Sequence, residues 1–597
     1  MRRFLGASAL PLITALAVAF GVGTVSAPAG AIDLMDGRLK INGFVQSTNI
    51  WRCADFSFSC DDETSMFKDR EDGGLVRQKN EGQLEVGFVA AENLGPIRKI
   101  ELFTIVNGWY DSVYDLNESN FGDGTDPGTI GRGNVVLPFP KDPGDVKRAL
   151  PGGADRFLAF YTDSDIEDEN DLATFLKFRE AYVDFHIDNI VGDDDLFLRL
   201  GKQQVSWGKT DFFRLLDVVN PVDFGNHFFL EPFEDFKIPQ TMVHAVWKFN
   251  RTGPLDDLSL EIDWNLNAFT PNQLGFPGGP FRFPGGSDQI AAFSLINQNF
   301  GGGLSEVDLP GHGILDTEIG GRLQGVYKGV TWSLATWNSW ADAPVFELKE
   351  VTQFGVDYKI TVPRTWIVGG SLDWFEEFTE SVWRLEVAHE FNAVFQDTLS
   401  PNGTNESDAL RWVLGWDRPT WIPFLNPRRT FILTAQVFHT HIFDHNEGTI
   451  ENVLGDVSRA GFAGNAEDTF VFTFVALGFY MSDRLLPTFF VTYDTAGQGG
   501  LLGGNVTYLL SNNLDFTIGL NGFFGREQTG DTGPLGLTGA GSCAGRTSVR
   551  PDDIAADPSL QQCIVRFREE LPFGAFREGA GMLRGADEVF ARFRFRF

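Results

Sequence analysis

The last ten residues, Glu588-Val589-Phe590-Ala591-Arg592-Phe593-Arg594-Phe595-Arg596-Phe597, alternate to the end of the chain. Side chains two apart share a face of a strand. Val589, Ala591, Phe593, Phe595 and Phe597 therefore lie on one face, and Glu588, Phe590, Arg592, Arg594 and Arg596 on the other. In water this would be a core face and a solvent face. In a bilayer it would be a lipid face and a lumen face. An arginine turned to lipid costs roughly 2–4 kcal/mol at the midplane, so in the second case Arg592, Arg594 and Arg596 must look inward.

The same period recurs upstream. Leu258, Leu260, Ile262, Trp264, Leu266 and Ala268 face one way against Ser259, Glu261, Asp263, Asn265 and Asn267. That run matches the ~9–11 residues a tilted strand needs to cross a bilayer. Leu514, Phe516, Ile518 and Leu520 alternate with Asp515, Thr517, Gly519 and Asn521 in the same way. Nineteen candidate strands follow. They lie near 38–50, 82–92, 97–109, 174–188, 195–206, 240–249, 257–269, 317–328, 330–340 and 351–361. The rest lie near 366–375, 381–392, 410–417, 430–442, 468–480, 485–494, 502–511, 513–523 and 587–597. A bacterial barrel with both ends in the periplasm needs an even number. Long and short connections alternate from each terminus, and the two phases agree if one candidate between 330 and 392 is dropped. The expectation is an all-β, transmembrane antiparallel barrel of eighteen strands, with sixteen next, joined by long extracellular loops and short periplasmic turns.

Composition fits. The 597 residues carry 81 acidic against 48 basic side chains, a formal net charge of −33, which argues against nucleic acid as a partner. No stretch after the N-terminus holds the ~20 apolar residues of a membrane helix. Arg2 and Arg3, the apolar run Leu10 to Val22 and Ala29-Gly30-Ala31 read as a signal peptide over 1–31, removed on export. The barrel then occupies 32–597. Only Ile32 to Gly37 precede its first strand, too little for an N-terminal plug domain, so any constriction must come from loops. The expected location is the cell outer membrane, with its lipid and lipopolysaccharide as surroundings. A terminal Phe closing an alternating strand resembles the C-terminal signal of Gram-negative outer-membrane barrels, which implies the barrel-assembly machinery as a partner.

Cys53 and Cys60 fall in the first long loop, Cys543 and Cys563 in the last. Disulfides 53–60 and 543–563 are plausible pairings in an exported chain, cross-pairing between the two loops stays open, and zinc binding is the rival. The acidic run Asp163 to Asp171 lacks the spacing of a calcium loop and reads as a solvated segment. His439 and His441 share a face with Leu433 and Val437, so they point at lipid near the outer interface rather than form a metal site. No G-x-S-x-G or H-E-x-x-H is present, and Gly208-Lys209-Thr210 has Gln203 where a phosphate loop needs Gly. Neither an enzyme nor a cofactor is expected.

One stretch carries a resemblance. Arg179-Glu180-Ala181-Tyr182-Val183-Asp184, then Leu198-Arg199-Leu200-Gly201-Lys202-Gln203-Gln204-Val205-Ser206-Trp207-Gly208, then Asp217-Val218-Val219-Asn220-Pro221-Val222-Asp223, resemble the outer-membrane domain-of-unknown-function 1302 family. Lys237-Ile238-Pro239 fits too, whereas Lys209 stands where an acidic residue is expected. The resemblance implies a barrel linked to lipids, sterols or other hydrophobic compounds. It also implies a periplasmic carrier and an inner-membrane transporter as partners.

Loop 207–239 is the candidate functional element. It is too long for a simple connector, and it mixes Phe212, Phe213, Leu215, Leu216 and Phe224 with Arg214, Asp217 and Asp223. So much apolar surface is hidden if the loop folds into the lumen. The expected substrate path is Phe212, Phe213, Arg214, Asp217, Asn220, Asp223, Glu261, Asp263, Arg592 and Arg594. The leading reading is a channel or transporter for hydrophobic or amphipathic small molecules. A general porin for polar solutes and a surface adhesion or envelope-stabilising barrel are the alternatives, and a packed lid that only stabilises the barrel is the other reading of the loop.

Overall fold

The computed structural model describes residues 32–52, 75–112, 177–211, 213–223, 233–267, 269–272, 303–311, 313–341, 345–352, 356–397, 400–446, 449–450, 466–525, 548–560 and 587–597. Cys53, Cys60, Cys543, Cys563, Phe212, the signal segment and the acidic run 163–171 lie outside them.

Alternation builds one antiparallel sheet that closes on itself. Its first nine long strands are Leu39–Arg52, Leu75–Leu94, Ile97–Asp111, Lys177–Val191, Asp194–Gln203, Gln240–Lys248, Asp257–Asn265, Glu318–Tyr327 and Val330–Trp340. The second nine are Arg364–Glu376, Ser381–Asp397, Thr404–Thr420, Phe431–Ile442, Asp468–Leu477, Leu485–Asp494, Gly499–Leu509, Leu514–Phe524 and Glu588–Arg596. The last strand pairs with the first, Gln46 opposite Arg594 and Thr48 opposite Arg592. Two short pieces, Ile32–Leu34 and Thr449–Ile450, bring the sheet to 20 members, so the wall itself has eighteen. Closure leaves no sheet margin, the condition for burying backbone amides in hydrocarbon.

The two faces are those read from the sequence. Val589, Phe593, Phe595, Leu260, Ile262, Ile518 and Leu520 are all exposed on the outside. Glu261, Asp263, Asp515 and Asn521 are buried on the inside. On Arg364–Glu376, outward Trp366 and Trp374 stand eight residues apart. At ~3.3 Å per residue and ~40° of tilt they are separated by about 20 Å of height, close to the ~25 Å apolar band of such barrels. Trp374 stacks on Trp383 of the next strand at 6.4 Å, as an interfacial aromatic girdle requires. Short turns such as Gly192-Asp193 and Lys328-Gly329 share one end, the periplasmic one, and the long loops share the other.

The nineteenth candidate, 351–361, is not a wall strand. Its residues contribute to a hairpin, Val345–Thr352 with Val356–Thr361, inside a separate four-stranded sheet with Gly303–Asp308 and Ser548–Val549. That sheet caps one side of the outer mouth: Leu348 N donates to Asn402 O at 2.7 Å, and Phe346, Leu348 and Ile360 are buried. Alternation identifies a two-faced strand but not the sheet that receives it.

The apolar core lies inside the cylinder. Inward side chains Met242, Ala335, Trp337, Ile367, Ala388, Val413, Phe438 and Val471 pack against Val205, Trp207, Phe213, Leu215, Leu216, Val218 and Val219 of the inward loop.

Candidate functional site

The loop leaves the wall at Gln203, whose Nε2 donates to Met242 O at 3.1 Å. Asn220 then ties its strands together. Its Oδ1 accepts from Val205 N at 2.8 Å and its Nδ2 donates to Ile238 O at 3.0 Å. Arg214, only 1% exposed, donates to the carbonyls of Asn220 at 2.5 Å and Asp217 at 3.3 Å, so it organises the loop's own backbone. Asp217 pairs with buried Lys237, whose Nζ also reaches Ser206 Oγ at 2.7 Å. These contacts use the polar residues of the D-x-x-N-P and K-I-P stretches as internal staples. A buried ion pair needs such satisfaction on both sides to avoid a desolvation cost of several kcal/mol.

The folded loop is pinned to the wall across the lumen. Trp207 Nε1 donates to Glu261 Oε1 at 2.9 Å and to Asp263 Oδ2 at 3.1 Å. Its carbonyl accepts from Arg322 Nη1 at 2.9 Å, and its ring meets Trp337 edge-on at 5.6 Å. Further along, Glu386 takes Lys209 N at 2.6 Å and Leu216 N at 3.3 Å on its two oxygens. Asp211 is held by Arg384 Nη2 at 2.7 Å and Gln436 Nε2 at 3.1 Å. Phe213 meets Phe438 edge-on at 5.5 Å. Gly369 on the wall is a required small residue, because a Cβ there would sit 2.4 Å from the Val387 backbone oxygen as well as 2.6 Å from Leu216 Cδ2. From Gln203 to Gln436 the loop spans eight positions around an eighteen-strand ring. It therefore crosses the lumen close to a diameter.

This places the expected path residues. Phe213, Arg214, Asp217, Asn220, Glu261 and Asp263 are all buried and form the packed anchor of the loop, while Asp223 is half-buried beside it. Among the described residues their contacts tie the loop to itself and to the wall. Arg592 and Arg594 line a cleft of ≈ 220 Å³ with Arg596, Asp515, Phe490 and Phe590 on the inner face of the last four wall strands. Glu386, Arg322, Trp337 and His244 escaped notice in the sequence. Glu386 lies 177 residues from the amide it receives, and no local signal links the two.

His244 Nδ1, Glu261 and Asp263 place one ligand atom each within 4.8 Å, the group among the described residues able to hold a metal ion. Both carboxylates are already engaged: Asp263 Oδ1 lies 2.7 Å from His244 Nδ1, and Arg322 Nη2 lies 2.6 Å from Glu261 Oε2. On the outer face, His439 and His441 both bond Asp468 Oδ1, at 2.7 and 3.0 Å, next to Phe443 and Phe470. Their place on the lipid face, read from Leu433 and Val437, follows from the register with Asp468 and Phe470.

An apolar outer belt, a closed sheet and a loop strapped across the interior define an outer-membrane β-barrel with a constricted lumen. The chain belongs to the family described as "Protein of unknown function (DUF1302)", whose model matches residues 12–541. No protein of curated function matches its sequence. Among solved structures it is similar to OccAB1 of Acinetobacter baumannii at 9% identity, covering 96% of this chain and 99% of that one, with a TM-score of 0.41. It is also similar to OccK3 (OpdO) of Pseudomonas aeruginosa at 8% identity, covering 93% and 95%, with a TM-score of 0.40. A third is OmpF of Salmonella typhi in complex with daunomycin, at 8% identity, 95% and 100% coverage and a TM-score of 0.37.

Proposed function

We propose that the barrel is a channel for amphipathic small molecules, in which the loop that starts at Gln204 fills one side of the lumen and confines solute to the other. The observation that carries this reading is the inner face of the first five wall strands, which among the described residues give no side chain to the buried cluster around Val205–Val219. In a water-filled pore for polar solutes the lumen wall is polar. Here Phe44, Phe103, Trp109, Tyr182 and Phe197 point inward and are half-buried. Phe103 stacks on Tyr182 at 5.0 Å, and the Arg199 guanidinium lies 3.8 Å from the Tyr182 ring centre. Lys79 and Lys177 each stand 5.8 Å from the Trp109 ring. Aromatic faces interleaved with cations offer a solute both an apolar and a charged contact.

Flux assays in liposomes test the reading. Amphipathic solutes should enter faster than polar solutes of the same mass, and Tyr182→Ala with Trp109→Ala should narrow that difference. Equal rates for both classes in the wild type, with a large ohmic current, would favour a general porin instead.

A further inference from the structure

Two cations on the outer face of the wall are answered by the protein itself. Lys202 Nζ donates to Phe178 O at 3.0 Å, and Arg364 Nη2 donates to Asn338 Oδ1 at 2.6 Å and to Thr317 O at 2.8 Å. Arg418 is different. It stands opposite outward Leu433 and two residues from Trp416, so all three share the outer face. The side chain is half-buried, and its Nε is covered without a hydrogen-bond partner. Its two Nη groups make no hydrogen bond or ion pair among the described residues. The carboxylate next to it in the chain, Asp417, faces the lumen, where Arg384 and Thr434 Oγ1 hold it at 2.8 Å each.

Depth in the bilayer gives this guanidinium its meaning. Trp374 stands opposite Trp383, and Trp383 opposite Trp416, which makes a row of outward indoles across three strands at the periplasmic end. Indole rows of this kind sit at the headgroup level of a membrane. Arg418 lies two residues closer to the periplasmic turn, ~6.7 Å along the strand or ~5 Å in height at ~40° of tilt. That step carries it from the indole level to the level of the lipid phosphates. The turn that follows, 421–430, extends the surface with exposed Trp421 and Phe424. An arginine with its stem laid on the wall and its head unmatched by the chain is arranged to take an anion from outside the protein.

We propose that Arg418 and Trp416 bind an anionic phospholipid of the periplasmic leaflet, with the phosphate on the Nη groups and the acyl chains along Leu433 and the indole. The position of the guanidinium favours a lipid over a soluble anion, because head and chain are met at two heights ~5 Å apart on one face. The chain's net charge of −33 repels anionic surfaces as a whole, so such a lipid is held by this local contact and not by the field of the molecule. Nothing in this assignment depends on what the lumen conducts.

Native mass spectrometry of the full mature barrel tests it, with palmitoyl-oleoyl phosphatidylglycerol and the phosphatidylcholine of the same chains as probes. Wild type should retain phosphatidylglycerol about fivefold better than phosphatidylcholine, the gain from one arginine at an anionic headgroup. Arg418→Gln should bring the two lipids level, and Arg418→Lys should keep part of the preference. Arg98→Gln, at the same end of the barrel but paired with Asp188 at 3.2 Å, should leave it unchanged. A large excess of inorganic phosphate should not displace the lipid. If Arg418→Gln fails to fold, the wild type still decides, because equal retention of the two lipids, or displacement by inorganic phosphate, overturns the proposal. A preference that survives in a folded Arg418→Gln barrel also overturns it. So does a lipid-independent dimer that Arg418→Gln dissociates, which would give this face to a second copy of the chain.

Discussion

Trp207 is the sharpest place to perturb the constriction, because one side chain joins the loop to the wall by both polar and apolar contacts. Replacing it with Phe keeps most of the ring but removes the Nε1–H that serves Glu261 and Asp263. A hydrogen bond to a charged group contributes ~1.5–3 kcal/mol, and here the acceptors would stay buried with one donor fewer. Replacing it with Ala also empties a site that is 3% exposed and packed edge-on to Trp337. Large aromatic-to-Ala changes in a core cost ~3–5 kcal/mol. At ~1.4 kcal/mol per factor of ten, the docked-to-undocked ratio of the loop should fall roughly a hundred- to several-thousand-fold. Single-channel recording should then show larger and noisier currents in the order wild type, Trp207→Phe, Trp207→Ala. Trypsin should cleave after Lys209 in the same order, since that residue's amide is otherwise held by Glu386. Trp366→Phe is the control, because its Nε1 bonds Thr336 Oγ1 on the lipid side, away from the loop. A folded Trp207→Ala barrel with wild-type current and an uncut Lys209 would refute the assignment of this loop as the constriction.

Other perturbations probe the remaining structure. Gly519→Ala forces a Cβ to 2.4 Å from Phe590 Cζ and should cost ~1–3 kcal/mol, read as a lower unfolding midpoint in urea, with Phe590→Ala relieving it. Phe593→Arg puts a charge on the lipid face and should cost roughly 2–4 kcal/mol in a lipid-refolding equilibrium if the residue lies at the midplane, less toward either interface. Closure between the first and last strands predicts that Asn49→Cys with Ala591→Cys, directly opposite residues, oxidises to a covalent ring of altered gel mobility.

Much of the wall was legible in residues that announce their faces locally. The run from Leu258 to Asn267 and the one from Val589 to Arg596 each state which side meets lipid, because a period of two is imposed by the strand backbone itself. Parity and the alternation of loop lengths then narrowed the count to eighteen and located the spare candidate between 330 and 392. The identity of that candidate, 351–361, was not legible, since its Ile360 and neighbours alternate as a wall strand does. The mixture of Phe with charge in loop 207–239 pointed to an inward segment, and described residues such as Trp207, Phe213 and Leu216 pack on the inner wall. The partners of Phe213, Arg214 and Asp217 were not legible, for a solute path and a packed anchor need the same residue types.

By itself, then, the chain determined its class of fold and the direction each strand faces, because those follow from contacts between residues two positions apart and from the cost of placing charge in hydrocarbon. Only the closed ring decided that Trp207 meets Glu261 and Asp263, that Lys209 meets Glu386, and that Arg592 to Arg596 share a cleft with Phe490. Such meetings depend on how many strands separate two residues around the cylinder, a quantity no local stretch of sequence contains.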